Sequence, residues 1–438
     1  FNSSNNFIAY CFHSVDGYSK IGSYVGTGVS NSIVTGFRPA FVMLKNISTS
    51  GNNWVIVDNK RDNADAWLYP NVSDAEYDDA YTYTQFCSNG FINNLTSAYN
   101  NANGDTYIFL AIAEEVYDPT DLPTLQNSFK TVTYSGTNSN HSITTGFKPD
   151  LIWMKNRSIS ANHALFDSVR GTEILYSNLT NAQSSWNSPT FDSNGFTLSG
   201  NNASSSLQNA SGSNYVAWCW KAGGTPAINQ EGSITSLVSA NPNAGFSVVK
   251  WTGTNAINTI GHGLNKEPEL ILIKPLDISS DWQVYSEPTG NGNKLALNTT
   301  SAASSTSRFD STSPTSSVFT FRDIGITGDE IAYCFTSITG YQKIGSYQGD
   351  DSTNESNIIN VGFQPSFVMV KNITSGSTSW VIADDERGYA DLYANVSDAE
   401  FSSGSALGAH FTSVGFTFAT ADISRNASNN TYIYLAIA

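Results

Sequence analysis

An acidic and a basic side chain stand three residues apart at three places in the chain. The pairs of this Asp-x-x-Arg element are Asp58/Arg61, Asp167/Arg170 and Asp384/Arg387. A carboxylate and a guanidinium across a tight turn can form two parallel hydrogen bonds. Catalysis would also need a nucleophile, a base and a pocket, and none accompanies the element. We therefore interpret the three pairs as structural turn clamps.

Acidic residues also cluster at 74–79, at 350–351 and at 384–386. Loops rich in Asp and Asn can supply the oxygen ligands that calcium prefers. No EF-hand spacing is present, and the five histidines and four cysteines show no zinc spacing. We expect no metal site and no cofactor, with calcium binding left open as an alternative.

Aromatic side chains near predicted loops form the third group of chemical interest. Such rings can stack on sugars while neighbouring polar groups bind the hydroxyls. The same rings could instead cover the ends of a domain or lie at contacts between domains. The candidate glycan-contacting residues are Trp67, Tyr69, Tyr77 and Trp186.

These residues are embedded in a repeating pattern. A Gly-Phe-x-Pro anchor followed by an apolar run and Lys-Asn begins at Gly36, Gly146 and Gly362, with a looser copy from Gly263. Each copy closes on an apolar strand. Cys11, Cys219 and Cys334 in three closing strands align with Ala111 and Ala436 in two others, which favours small core residues over disulfides. The first and last copies are the most similar, so a super-repeat of three domains is the economical interpretation.

Short strand candidates with Gly- or Asn-rich turns fill each copy, as is typical of two-sheet sandwiches. We predict an all-β fold, a tandem array of about four β-sandwich domains with jelly-roll or immunoglobulin-like topology. The predicted divisions are the closing strand of an upstream repeat at 1–16, repeat 1 at 17–114, a linker at 115–127, repeat 2 at 128–223, a linker at 224–243, repeat 3 at 244–339 and repeat 4 at 340–438. Because the sequence opens inside the repeating pattern, we expect it to be a segment of a longer protein.

The composition and charge of the chain disfavour two kinds of binding partner, nucleic acid and membrane. Only 13% of residues are charged and the net charge is −16, which disfavours binding to nucleic acid. No apolar run is long enough to span a bilayer, so we expect no membrane insertion.

Several longer stretches carry a family resemblance. They are Gly-Tyr-Ser-Lys-Ile-Gly-Ser-Tyr at 17–24, Thr-Gly-Phe-Arg-Pro-Ala-Phe-Val-Met at 35–43 and Tyr-Val-Ala-Trp-Cys-Trp-Lys-Ala-Gly-Gly at 215–224. The pattern resembles a repeat family of tail-fibre-like and virion structural proteins of marine bacteriophages. The resemblance implies concanavalin-like β-sandwich repeats without established catalytic residues.

The sequence therefore predicts a non-enzymatic, extracellular virion protein of a bacteriophage: a fibre, a spike or a capsid decoration. Its expected partners are other virion proteins and copies of itself, with a host surface glycan as a further candidate. The alternatives are a glycan-binding adhesin and, more remotely, a glycan depolymerase, which would need two carboxyl groups facing each other in a groove.

Overall fold

The structure is a computed structural model of the 438-residue chain. It describes all residues except 1–9, 16–17, 62–65, 78–82, 88, 114–124, 126, 188, 201–205, 324, 326 and 402–407. The predicted all-β fold is confirmed, since 44% of the chain is strand and 1% helical. The chain divides into two compact units, Phe1–Pro119 and Thr120–Ala438. The first holds repeat 1 and the second holds repeats 2, 3 and 4.

Repeat 1 is a sandwich of two antiparallel sheets. Its strands are β1 (Ser19–Val25), β2 (Asn31–Val34), β3 (Pro39–Asn46), β4 (Val55–Asp58), β5 (Thr84–Cys87), β6 (Gly90–Asn93) and β7 (Thr106–Ala113). The larger sheet has the order β1-β7-β3-β4 and the smaller one β2-β6-β5. The repeating anchor is therefore the central pair of the larger sheet, where β3 and the closing strand β7 lie side by side.

Repeat 2 has the same two sheets. Its strands are β8 (Phe129–Ser135), β9 (His141–Thr144), β10 (Leu151–Asn156), β11 (Ala164–Asp167), β12 (Glu173–Ile174), β13 (Ser184–Ser185), β14 (Thr190–Asp192), β15 (Gly195–Leu198) and β16 (Asn214–Trp220). The larger sheet has the order β11-β10-β16-β8 and the smaller β14-β15-β9, while β12 and β13 pair separately.

Repeat 3 departs from this plan at its beginning. Its strands are β17 (Ala227–Asn229), β18 (Ser236–Asn241), β19 (Phe246–Thr252), β20 (Ile257–Gly261), β21 (Leu270–Pro275), β22 (Gln283–Ser286), β23 (Asn293–Lys294), β24 (Ser304–Ser305), β25 (Val318–Arg322) and β26 (Asp329–Phe335), with a 3-10 turn at Glu287–Thr289. The interpretation of 224–243 as a linker is corrected, because β17 and β18 extend the larger sheet to the order β17-β18-β19-β26-β21-β22. Val238 of β18 is buried against the core of this repeat, which explains why the segment is held as strand.

Repeat 4 closes the chain on the common plan. Its strands are β27 (Gln342–Gln348), β28 (Ile359–Asn360), β29 (Phe367–Asn372), β30 (Val381–Asp384), β31 (Leu392–Tyr393), β32 (Ala409–Thr412), β33 (Gly415–Phe418) and β34 (Thr431–Ile437). The larger sheet has the order β27-β34-β29-β30-β31 and the smaller β28-β33-β32. Among the described residues, no helix is long and apolar enough to cross a membrane.

A glycine that opens one strand of each smaller sheet recurs in repeats 1, 2 and 4, at Gly90, Gly195 and Gly415. A Cβ atom on any of them would lie about 2 Å from a carbonyl oxygen of the neighbouring strand, and Gly195 has a φ of 153°. These positions therefore accept only glycine.

Burial of the larger sheet differs between the two units. In β10, β21 and β29 every residue is buried, whereas in β3 half-buried and buried residues alternate from Phe41 to Asn46. A strand buried on one face alternates in this way, and a strand buried on both faces does not. The second face of repeats 2, 3 and 4 packs into one hydrophobic core common to all three. We call this the shared core.

Candidate functional site

The larger sheets of repeats 2, 3 and 4 meet at three interfaces, and the same positions make the contacts at each. The residue just before β11, β22 and β30 places a ring nitrogen against a backbone carbonyl of another repeat. The three contacts are His163 Nε2 with Tyr393 O at 3.1 Å, Trp282 Nε1 with Tyr176 O at 2.9 Å, and Trp380 Nε1 with Ala296 O at 3.0 Å. Repeat 2 thus reaches repeat 4, repeat 3 reaches repeat 2, and repeat 4 reaches repeat 3. The arrangement is a closed ring.

The histidine in this set is held in one protonation state. Burial lowers the pKa of His163 well below its usual value, so the ring is neutral. Its Nδ1 accepts a hydrogen bond from Trp153 Nε1 at 3.0 Å, and an indole nitrogen can only donate. The proton of the neutral ring therefore sits on Nε2, which donates to Tyr393 O as the tryptophans do at the other interfaces.

Backbone hydrogen bonds repeat around the same ring. One amide lies two residues before His163, Trp282 or Trp380, and the other lies eight residues beyond Leu175, Leu295 or Leu392. The first set joins Ala161 N to Ser397 O, Ser280 N to Thr180 O and Thr378 N to Thr300 O, and the second joins Gln183 N to Leu276 O, Ala303 N to Ile373 O and Glu400 N to Arg157 O. Because the register is the same at each contact, the three repeats occupy equivalent places in the ring.

The penultimate residue of β10, β21 and β29 is a lysine, and it is also part of the ring. Lys155, Lys274 and Lys371 are fully buried, and burial lowers the pKa of each to about 8. Their ammonium groups donate across the interfaces to the carbonyls of Ser397 at 3.2 Å, Thr180 at 2.9 Å and Thr300 at 3.2 Å. These lysines stabilise contacts between repeats and have no access to solvent.

The Asp-x-x-Arg pairs form in all three places. The Nε–Oδ2 distance is 2.6 Å in both Asp167/Arg170 and Asp384/Arg387, where both partners are buried. In repeat 1, Arg61 reaches Asp58 at 2.8 Å, and both side chains are about a quarter exposed.

In the two buried pairs the aspartate also accepts a hydrogen bond from another repeat. Trp218 Nε1 donates to Asp384 Oδ2 at 2.9 Å, and Tyr333 OH donates to Asp167 Oδ2 at 2.7 Å. Trp218 and Tyr333 occupy equivalent positions in the closing strands, and Leu435 takes that position in repeat 4. Repeat 4 contacts repeat 3 through Trp380, and repeat 3 has Ser286 in place of the aspartate. The donor and the acceptor are therefore missing together at this interface.

Charged side chains at the margin of the ring join repeats 2 and 4. The guanidinium of Arg157 pairs with the carboxylate of Glu400, and Lys130 Nζ lies 3.3 Å from Glu386 Oε1. The guanidinium of Arg387 also lies over the Trp218 ring, 5.4 Å from its centroid. Such cation–π contacts strengthen when they are removed from water.

The predicted glycan-contacting residues differ in how far they are exposed. Trp67 is 2% exposed and its ring packs against Tyr77, Tyr83 and Tyr99, so its assignment as a sugar-stacking residue is corrected. Tyr77 is 43% exposed, whereas Tyr69 is half-buried. Trp186 is half-buried against the core of repeat 2. A tryptophan inside a domain core has no face available to a ligand.

Metal-binding geometry is not found in the described part of the chain. There, no group of three or more His, Cys, Asp or Glu is placed to hold an ion. Asp78 and Asp79 of the first acidic cluster lie outside the described residues, so calcium binding stays a hypothesis. Cys219 and Cys334 are buried free thiols, and burial raises the pKa of both.

A buried pair of carboxyl groups lies inside repeat 3, which the sequence did not indicate. Asp323 and Glu330 are both fully buried, and burial together with the neighbouring Asp323 raises the pKa of Glu330 to about 9. Glu330 takes the position of Tyr107, Tyr215 and Tyr432 in the other closing strands. The two carboxyl groups lie in a domain core and not in a groove, so they do not have the open geometry that glycoside hydrolysis requires.

A family model described as a domain of unknown function (DUF7483) matches residues 1–116 and 125–438. The chain belongs to the DUF7483 family. No curated protein and no solved structure matches it.

For this DUF7483 chain, the interface positions could have been recognised from two signals in the sequence. Lys155, Lys274 and Lys371 end otherwise apolar runs, which is unusual for a strand packed between two layers. Ser286 replaces the aspartate of the Asp-x-x-Arg element in repeat 3, and Leu435 stands where repeats 2 and 3 have Trp218 and Tyr333. Both differences fall at the interface between repeats 3 and 4.

Proposed function

We propose that this chain is a non-enzymatic structural protein of a bacteriophage virion, in a fibre, a spike or a capsid decoration. The proposal combines the resemblance of its motifs to virion repeats with one structural observation. That observation is the shared core, which joins three sandwiches into a single compact unit.

The polar residues that attract attention in the sequence support a structural role. The three buried lysines and the two buried Asp-Arg pairs serve contacts between repeats. An active site instead keeps its titratable groups within reach of a substrate. The expected partners are other virion proteins and further copies of the chain, while the net charge of −16 keeps a dense array soluble.

Localisation on purified particles tests the proposal. Antibodies against residues 120–438 and gold labelling in the electron microscope are expected to mark one morphological feature of the particle at a regular position. Absence of the chain from purified particles contradicts the proposal. Binding of the isolated chain to host envelope glycans, lost in Tyr77→Ala, would favour the adhesin instead, and glycan turnover would favour the depolymerase.

A further inference from the structure

The outer face of the larger sheet in repeat 1 carries the residues that form the shared core in the other repeats, but there it is open. We call this the repeat 1 face. Ile21 and Ile344 stand in the same Lys-Ile-Gly-Ser-Tyr context, yet Ile21 is 42% exposed and Ile344 is 4% exposed. The other members of the face are exposed or half-buried: Phe41, Met43, Ile56, Leu68, Ile108, Leu110 and Ile112. Their equivalents in repeats 2, 3 and 4 are all in the shared core.

The polar positions at this face are those of repeat 4. Asp58, Arg61 and Glu76 form the same linked set as Asp384, Arg387 and Glu400, with Arg61 bridging both acids as Arg387 does. Leu110 stands where repeat 4 has Leu435. Repeat 1 therefore has the residues by which repeat 4 contacts its two neighbours in the ring.

We propose that the repeat 1 face docks onto a tandem pair of repeats of the types of repeats 2 and 3, closing a second ring of three. In such a ring a tryptophan like Trp218 donates to Asp58, and Leu110 lies toward a neighbour that has serine in place of aspartate. Three copies of repeat 1 from separate chains fit less well, because each aspartate would then meet Leu110, which has no hydrogen to donate.

The segment just ahead of repeat 1 supports this choice of occupant. Tyr10-Cys11-Phe12 matches Tyr333-Cys334-Phe335, the end of the closing strand of repeat 3. Tyr10 is 82% exposed and Phe12 is 61% exposed, whereas Tyr333 and Phe335 are buried in the shared core. The residues that lead into repeat 1 are thus of the repeat 3 type, as they are ahead of repeat 4.

A chimera tests the docking. Residues 120–338 are joined ahead of residue 16, which reproduces the junction of repeats 3 and 4 because Ile338 corresponds to Val15. The reporter is Ile108→Cys, measured by its rate of alkylation with iodoacetamide. Cys11→Ser removes the exposed thiol from the unextended chain, and Ile433→Cys in repeat 4 is the matched buried control.

We expect the cysteine at 108 to react at least ten times more slowly in the chimera than in the unextended chain, close to the rate of the cysteine at 433. Equal rates in the two proteins overturn the proposal. Protection in the unextended chain that rises with concentration, together with a multiple of the chain mass in light scattering, also overturns it, in favour of self-association.

A second variant covers a failure of the chimera to fold. In a fusion of residues 120–338 with residues 16–113, repeat 1 replaces repeat 4 directly after repeat 3. We expect this three-repeat protein to be a monomer with slow alkylation at a cysteine in place of Ile108. Aggregation of this protein, when residues 120–438 prepared in the same way stay monomeric, contradicts the equivalence of the two repeats.

Discussion

Some buried side chains form hydrogen bonds between repeats, whereas neighbouring buried side chains only pack there. Trp218 and Trp220 lie two residues apart on β16, and both belong to the shared core. Trp218 Nε1 donates to Asp384, whereas Trp220 Nε1 has no hydrogen-bond partner among the described residues. The two side chains thus separate packing from hydrogen bonding.

Substitution of each tryptophan by phenylalanine removes that hydrogen bond in only one of the two variants, and it keeps an aromatic ring beside the Arg387 guanidinium at position 218. Both variants lose part of the indole, but only Trp218→Phe leaves a buried carboxylate oxygen with one donor fewer. We expect Trp218→Phe to be destabilised by about 2 kcal/mol more than Trp220→Phe. Urea unfolding followed by tryptophan fluorescence and by circular dichroism measures the difference. Equal losses would show that the bond to Asp384 contributes nothing.

The buried Glu330 predicts how stability changes with pH. Its pKa is raised to about 9 in the folded chain, so the folded state binds a proton that the unfolded state has released above about pH 4.5. The stabilisation is complete below the unfolded pKa and is lost as the pH rises toward 9. As the pH rises from 5 to 7, we expect the titration of Glu330 to lower the free energy of unfolding by about 2 to 3 kcal/mol.

Glu330→Gln tests this assignment because it keeps the shape of the side chain and removes the titration. The variant is expected to show a smaller fall in the free energy of unfolding between pH 5 and pH 7 than the parent chain. Glu267→Gln, at an exposed position of the same repeat, is the control and should keep the parent slope. Identical slopes in the parent and Glu330→Gln would contradict the raised pKa.

At the scale of the element, the hairpin of each smaller sheet depends on a close approach of two backbones. In Gly195→Ala the new Cβ would lie 2.0 Å from the carbonyl oxygen of Ile143, in the paired strand β9. We expect the variant to lose about 3 kcal/mol. Gly212→Ala in the same repeat is the control, since it also has a positive φ but no atom within 4 Å. It should cost only about 1 kcal/mol, as measured by thermal unfolding.

The elements also show where sequence reasoning succeeds. The anchor strands, the closing strands and the hairpin glycines could be predicted because period, apolar runs and turn residues are local signals. The strands β17 and β18 could not, because proline and glycine around Pro226 and Pro242 resemble a linker and only pairing with β19 holds the segment. The burial of Trp67 was missed for a similar reason, since its ring contacts come from Tyr83 and Tyr99, distant in sequence.

At the scale of the whole molecule, the ring predicts that repeats 2, 3 and 4 unfold together. A linear array has interfaces only between successive repeats, so its ends can open separately. In the ring each repeat contacts both of the others, and repeat 2 is bonded to repeat 4 by the same contacts as to repeat 3. A three-domain period was inferred from the sequence, but closure was not, because it depends on contacts between residues far apart in the chain.

Matched aspartate substitutions test this cooperativity. Ile344→Asp places a carboxylate in the shared core and is expected to cost about 3 kcal/mol or more. Amides in repeats 2 and 3 should lose hydrogen-exchange protection together with those in repeat 4. Ile21→Asp, in the same sequence context at an exposed position, should cost less than about 1 kcal/mol. Loss of protection confined to repeat 4 would show that the repeats open independently.

The different residues at the three interfaces have a further consequence. A trimer of identical chains must use the same residue at every subunit contact, whereas a single polypeptide with three diverged repeats can use His163 at one contact and tryptophan at the two others. One chain therefore builds a ring whose three internal contacts are chemically distinct. Such a ring has no exact three-fold axis, so it can occupy a place in an assembly that lacks three-fold symmetry.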